Sequence, residues 1–162
     1  MGEKNLVCLS LVFLAAAVAV LAGHAHGADI CAKADYVPLC RSMAKGAANN
    51  PAVALKVAME KMIVETKRAK AASAKIGKSP ALLLCAENYG YNISYLQECL
   101  MLLKIKDKNT LMIRLSAVVA TYGVCDDAIG ESGIVTQAAS LVSIDKRLTQ
   151  MTSNCLHFTS LT

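Results

Sequence analysis

Apolar residues recur along most of this chain at alternating steps of four and three, the spacing that keeps them on one stripe of an α-helix. Four such stripes follow one another. The first holds Leu55, Met59, Met62, Thr66, Ala69, Ser73 and Ile76, and the second Leu82, Ala86, Tyr89, Ile93, Leu96, Leu100 and Leu103. The third holds Leu111, Leu115, Val118, Tyr122, Cys125 and Ile129, and the fourth Ile134, Ala138, Leu141, Ile144, Leu148, Met151, Cys155 and Phe158. Start signals precede the first two: Asn50-Pro51 and Ser79-Pro80 pair a capping side chain with a proline that has no N–H to leave unpaired. Gly77 and Gly130 are predicted stops, a polar turn around Lys106–Asn109 joins the second helix to the third, and the fourth is predicted to begin near Ser132. Four long amphipathic helices with short connections predict an all-α, up-down-up-down four-helix bundle.

Composition agrees with helices. Aromatics make up 4% of the chain and Trp is absent, whereas strands favour aromatic and β-branched residues. The length suits one domain. Ahead of it, Lys4 is followed by an apolar run from Leu6 to Leu21 and then by Gly23–Gly27. This reads as a secretory signal peptide over residues 1–27, cut near Gly27–Ala28 or after Ala25. The run is short for a membrane span, so no membrane association is expected after cleavage. The mature chain keeps the net charge of +5, since Glu3 and Lys4 leave together. Such basicity suits solubility, or attraction to acidic polymers and acidic protein clefts.

Outside the cell, an even set of cysteines implies disulfides. Cys31 and Cys40 close a leader that Pro38, Gly46 and Asn49-Asn50 break into short helical turns, so a small disulfide-closed helical hairpin precedes the bundle. Cys85 opens the second long helix and Cys125 ends the third. If the two run antiparallel these positions meet, and a bridge there staples the pair. Cys99 shares the edge of Cys85, while Cys155 sits on the fourth helix, diagonally opposite. A third disulfide or two buried free thiols are both open.

Little in the sequence points to catalysis. His157 is the single mature histidine and lies near a helix end, where a cap-like charge is its ordinary role. No nucleophile elbow, phosphate loop or zinc-protease motif is present, the cysteines lack zinc spacing, and no cofactor is expected. Basic residues are not interleaved with aromatics, which speaks against nucleic acid. Lys67, Arg68, Lys70, Lys75 and Lys78 make the last half of the first long helix basic, a solvated face or a partner-facing one. Asn92-Ile93-Ser94 is an N-glycosylation acceptor, although Asn92 shares the Cys85 edge. Tyr89 and Tyr122 lie on facing stripes, where core packing with a hydrogen-bonded hydroxyl is expected.

Several words together resemble the plant invertase and pectin methylesterase inhibitor domain. They are the leader Cys31–Cys40, the helix start Leu84–Tyr89, Leu115-Ser116-Ala117 followed by Cys125-Asp126-Asp127, and the stretch from Ser140 to Thr149. The resemblance spans Asp29 to about Phe158, within a domain placed at residues 28–160. It implies a helical hairpin joined to a four-helix bundle, with disulfides Cys31–Cys40 and Cys85–Cys125. It also implies a secreted apoplastic protein, less readily a vacuolar one, that has no catalytic activity and binds one target enzyme. Invertase inhibitors of the family carry a Pro-Lys-Phe word before the third bundle helix. Here that loop reads Lys106–Leu111 without it, which turns the expectation toward pectin methylesterase, with invertase as the alternative. A secreted lipid carrier is the alternative of another class, weakened by the absence of adjacent Cys-Cys and Cys-x-Cys pairs.

Overall fold

The structure is a computed structural model and describes residues 29–162; the expected signal segment lies outside them. Five helices follow in order: α1, Val37–Ala44; α2, Pro51–Ile76; α3, Pro80–Ile105; α4, Lys108–Glu131; and α5, Ala139–Leu161. No strand occurs among the described residues. The four long helices form the bundle, with α2 beside α3 and α5, and α4 beside α3 and α5. The diagonal pairs α2/α4 and α3/α5 face each other across the core. Helix α1 packs on α2 and α5 at one pole.

Local chemistry explains the boundaries. Asn50 Oδ1 accepts from the backbone N–H groups of Ala52 and Val53, and Ser79 Oγ from that of Leu82, with proline just inside each helix. The α3–α4 connection is only Lys106 and Asp107. Lys106 adopts the left-handed conformation (φ 61°) that glycine or asparagine usually supplies, and its N–H caps the carbonyls of Leu102 and Leu103. Asp107 then caps α4 through the Thr110 N–H and hydroxyl, and these bonds hold its carboxyl below the usual range. Helix α5 begins at Ala139, later than the expected start near Ser132. Helix α4 continues through Gly130 to Glu131, and the β-branched run Ile134-Val135-Thr136 resists helix, so residues 132–138 form turns.

Every apolar position predicted for α4 is buried. On α3 the buried stripe is rotated from the predicted one. Cys85, Asn88, Asn92, Cys99 and Leu102 face in, while Ala86, Ile93, Leu100 and Leu103 are half-buried. This helix is apolar on most sides, so hydropathy alone does not fix its phase; the Cys85–Cys125 bond does. That bond joins Cα atoms 4.7 Å apart across the antiparallel α3–α4 pair. Closing its loop is worth about 4 kcal/mol in the chain-entropy model. Cys31–Cys40 closes the leader, with Cα atoms 5.7 Å apart.

Two tyrosines brace the core along both diagonals. Tyr122 on α4 donates to Thr66 Oγ1 on α2 at 2.6 Å, because the Thr66 hydroxyl is itself spent on the Met62 carbonyl. Tyr89 on α3 donates to Asp145 Oδ2 on α5 at 2.9 Å. Asp145 has 0% exposure, and its Oδ1 has no hydrogen-bond partner. Burial first, with the nearby Asp126 carboxylate adding to it, pushes the Asp145 carboxyl up to about 8, although the Tyr89 bond pulls the other way. Burial and then Asp127 raise the Asp126 carboxyl. Burial raises both tyrosines.

Candidate partner-binding surface

The basic half of α2 lies toward the pole that carries the Cys85–Cys125 bond. Lys67, Arg68, Lys70 and Lys75 are all exposed on α2, and Lys78 is exposed in the segment that follows. Arg68 pairs with Glu65 at 2.9 Å, while the four lysines make no ion pair among the described residues. Lys67, Arg68 and Lys75 point away from the core. Lys70 turns sideways onto α3, where its ammonium lies 3.0 Å from the place a Cβ would occupy on Gly90. The four cations on α2 thus cover about half the helix circumference, and Glu65 is the acid paired within them.

A second exposed patch lies along α3 and α4, and the sequence reading missed it. Tyr91, 48% exposed, stacks on Tyr95 with ring centroids 6.5 Å apart and an interplanar angle of 21°. The Arg114 guanidinium from α4 sits 4.8 Å over the Tyr95 ring and is ion-paired with Glu98, with Nε 2.8 Å from one carboxylate oxygen. Arg114 Nη2 donates to the other Glu98 oxygen at 2.9 Å. Tyr91 donates to Glu87 at 2.8 Å, which raises the phenol. Met101, Ile105 and Ile113 are exposed farther along the same two helices. Tyrosine, arginine and methionine are the residues enriched where proteins meet. The four-residue step from Tyr91 to Tyr95, off the core stripe, was the available signal. The position of Arg114 across the helix pair was not legible.

The remaining singled-out residues have structural places. Asn92 has 0% exposure, and neither its amide nitrogen nor its oxygen finds a hydrogen-bond partner. The fold as it stands leaves no room for a glycan on that nitrogen. His157 is held by the leader: its Nε2 is 2.8 Å from the Ile30 carbonyl oxygen. With Asn154, which accepts from the Tyr36 N–H and donates to the Tyr36 carbonyl, and with the Ser153–Asp35 bond, it fastens the leader to α5. Cys99 and Cys155 are buried free thiols on the diagonal helices α3 and α5, and no bond joins them. Burial pushes the Cys99 thiol up to about 12 and raises the Cys155 thiol as well. No cluster of three His, Cys, Asp or Glu side chains suited to a metal occurs among the described residues. No helix among them is long and apolar enough to cross a membrane.

The described chain is thus an all-α bundle cross-linked by two disulfides and preceded by a short helical hairpin. The chain belongs to the plant invertase/pectin methylesterase inhibitor family, whose model matches residues 28–158. Members of this family are inhibitors. Comparison with curated proteins returns no significant match. Among solved structures, this chain is similar to a crystal structure of mutant form A of a pectin methylesterase inhibitor from Arabidopsis. The TM-score is 0.70 at 19% identity, over 82% of this chain and 93% of that one. At that identity the likeness speaks for the fold, the hairpin and bundle expected from the sequence.

Proposed function

We propose that this protein is a secreted, apoplastic inhibitor of pectin methylesterase that forms a complex with the enzyme and blocks its pectin-binding cleft. The observation that carries the choice of target is the α3–α4 connection. It is closed by Lys106 and Asp107 alone and lacks the Pro-Lys-Phe word that the family resemblance associates with invertase inhibition. The exposed cations of α2 support the mode of binding. A cleft that handles an acidic polymer carries its own charge pattern, and unpaired surface lysines steer association with acidic groups there. The bundle needs no chemistry of its own, because a rigid body seated over a cleft excludes substrate by volume. Two disulfides and the two diagonal tyrosine bonds supply that rigidity.

The test is a pair of inhibition assays at mildly acidic pH with protein recovered from a secreting host. Methanol release by plant pectin methylesterase falls as the protein approaches equimolar amounts, while sucrose cleavage by cell-wall and vacuolar invertases does not change. Replacing Lys67, Lys70 and Lys75 by glutamate slows association roughly tenfold at low salt, and the difference shrinks as salt screens the charges. Inhibition of invertase alone would transfer the reading to that enzyme, and no inhibition of either would remove it.

A further inference from the structure

At the pole opposite the Cys85–Cys125 bond, the bundle opens into a cavity of about 720 Å³ between the start of α2 and the α3–α4 turn. That volume falls within the range of roughly 300–1,000 Å³ typical of small-molecule sites. Its apolar lining comes from Pro51, Val53, Leu102, Leu103 and Leu111. Leu102 and Leu111 belong to the buried core and floor the cavity, while Val53, Lys56, Lys106 and Lys108 at its rim are exposed, so it is a groove open to solvent with a floor of core residues. Lys56, Lys106 and Lys108 stand around it beside Thr162, and among the described residues no aspartate or glutamate side chain lines it.

The neighbouring polar groups are already occupied. Asn50 Oδ1 is spent on the first turn of α2, and the Asp107 carboxylate on the first turn of α4. Lys108 donates to the Ser160 carbonyl at 3.0 Å, and Lys56 pairs with Glu60 at 3.1 Å. Lys106 is different. Its side chain has no ion pair or hydrogen bond among the described residues, and its backbone is held left-handed at the cavity edge. An apolar chamber edged by cations, one of them unpaired, matches a molecule with a hydrocarbon body and an anionic head.

We propose that this cavity binds a single-chain amphiphile with an anionic head group, of the fatty-acid class, with its tail against Leu102, Leu103 and Leu111 and its head at Lys106. The site lies away from the basic half of α2 and does not depend on which enzyme the protein inhibits.

Titration of the purified protein with the fluorescent fatty acid cis-parinaric acid tests it. Saturable binding at one site is expected, displaced by dodecanoate, with dodecanol at least roughly tenfold weaker because it lacks the charge that meets Lys106. Lys106→Glu, on an exposed turn, weakens dodecanoate roughly tenfold. Lys75→Glu, at the other pole, leaves it unchanged. Val53→Gln, a neutral change on an exposed part of the wall, weakens acid and alcohol alike and serves as a second variant should Lys106→Glu disturb the turn. Vesicles of an anionic phospholipid are the third arm, and free acid is expected to bind where vesicles do not. Absence of saturable binding, equal competition by dodecanol, equal losses in Lys106→Glu and Lys75→Glu, or preference for vesicles would each overturn the proposal. So would concentration-dependent self-association that closes the site, because the occupant would then be a second copy of the chain.

Discussion

Ionising Asp145 should be the main pH-dependent threat to this fold. In the unfolded chain its carboxyl loses its proton at the ordinary value of 3.8; in the folded bundle burial holds the proton on until about pH 8. Between those values the native state binds one proton more than the unfolded state, so stability falls as pH rises, by about 1.4 kcal/mol per pH unit. Below the window both states are protonated and the penalty is absent; above it the loss is complete, on the order of 5 kcal/mol. A domain of this size has only about 5–15 kcal/mol in total. The groups facing Asp145 set the details. The Tyr89 hydroxyl bond restrains the shift and the nearby Asp126 carboxylate enlarges it, with Asp126 itself raised in the same direction. Urea unfolding followed by far-UV circular dichroism, with disulfides intact, measures the slope. The parent should lose roughly 3 kcal/mol between about pH 5 and pH 7, equivalent to a melting temperature lower by about 10 °C. Asp145→Asn keeps an acceptor for Tyr89 but cannot ionise, so most of that slope disappears. Asp126→Asn reduces it more modestly. An Asp145→Asn profile as steep as the parent's would refute the reasoning.

Three further outcomes follow from the packing. Gly90→Ala should raise stability by about 1 kcal/mol, because the added methyl meets only the flexible end of Lys70 at 3.0 Å while the helix gains a better former; a thermal melt checks it. Thiol titration without reductant should find no reactive cysteine in the native described domain and two, Cys99 and Cys155, after denaturation. Replacing both Cys85 and Cys125 by alanine should cost about 4 kcal/mol by urea unfolding.

What was legible in the sequence was local or repeated. The α4 stripe is right at each of its six positions, although α4 also carries the apolar Met112, Ile113 and Val124 on its exposed side. The starts of α2 and α3 were written in Asn50-Pro51 and Ser79-Pro80, since caps act within one turn. The phase of α3 was not legible, because hydropathy ranks Ala86, Ile93 and Leu100 above Asn88 and Asn92, which take buried places in the fold. Nor was the burial of Asp145: hydropathy places its neighbour Ile144 in the stripe, and the carboxyl is accommodated only because Tyr89 reaches it from the diagonal helix. The same limit hid the leader clamp on α5 and the Arg114–Tyr95 contact, both of which join residues distant along the chain. At the surface, the cations of α2 could be named from the sequence, but not that Lys70 lies sideways over Gly90.

The fastening of Ile30 and Tyr36 to α5 gathers the first and last described stretches at a single pole. Lys67, Lys70 and Lys75 stand toward the other pole, with most of a bundle length between. A fluorophore or a linkage to a solid support attached at Asp29 or Thr162 therefore emerges on the side remote from those lysines. Anchored that way, every molecule would present its cationic flank outward in the same orientation.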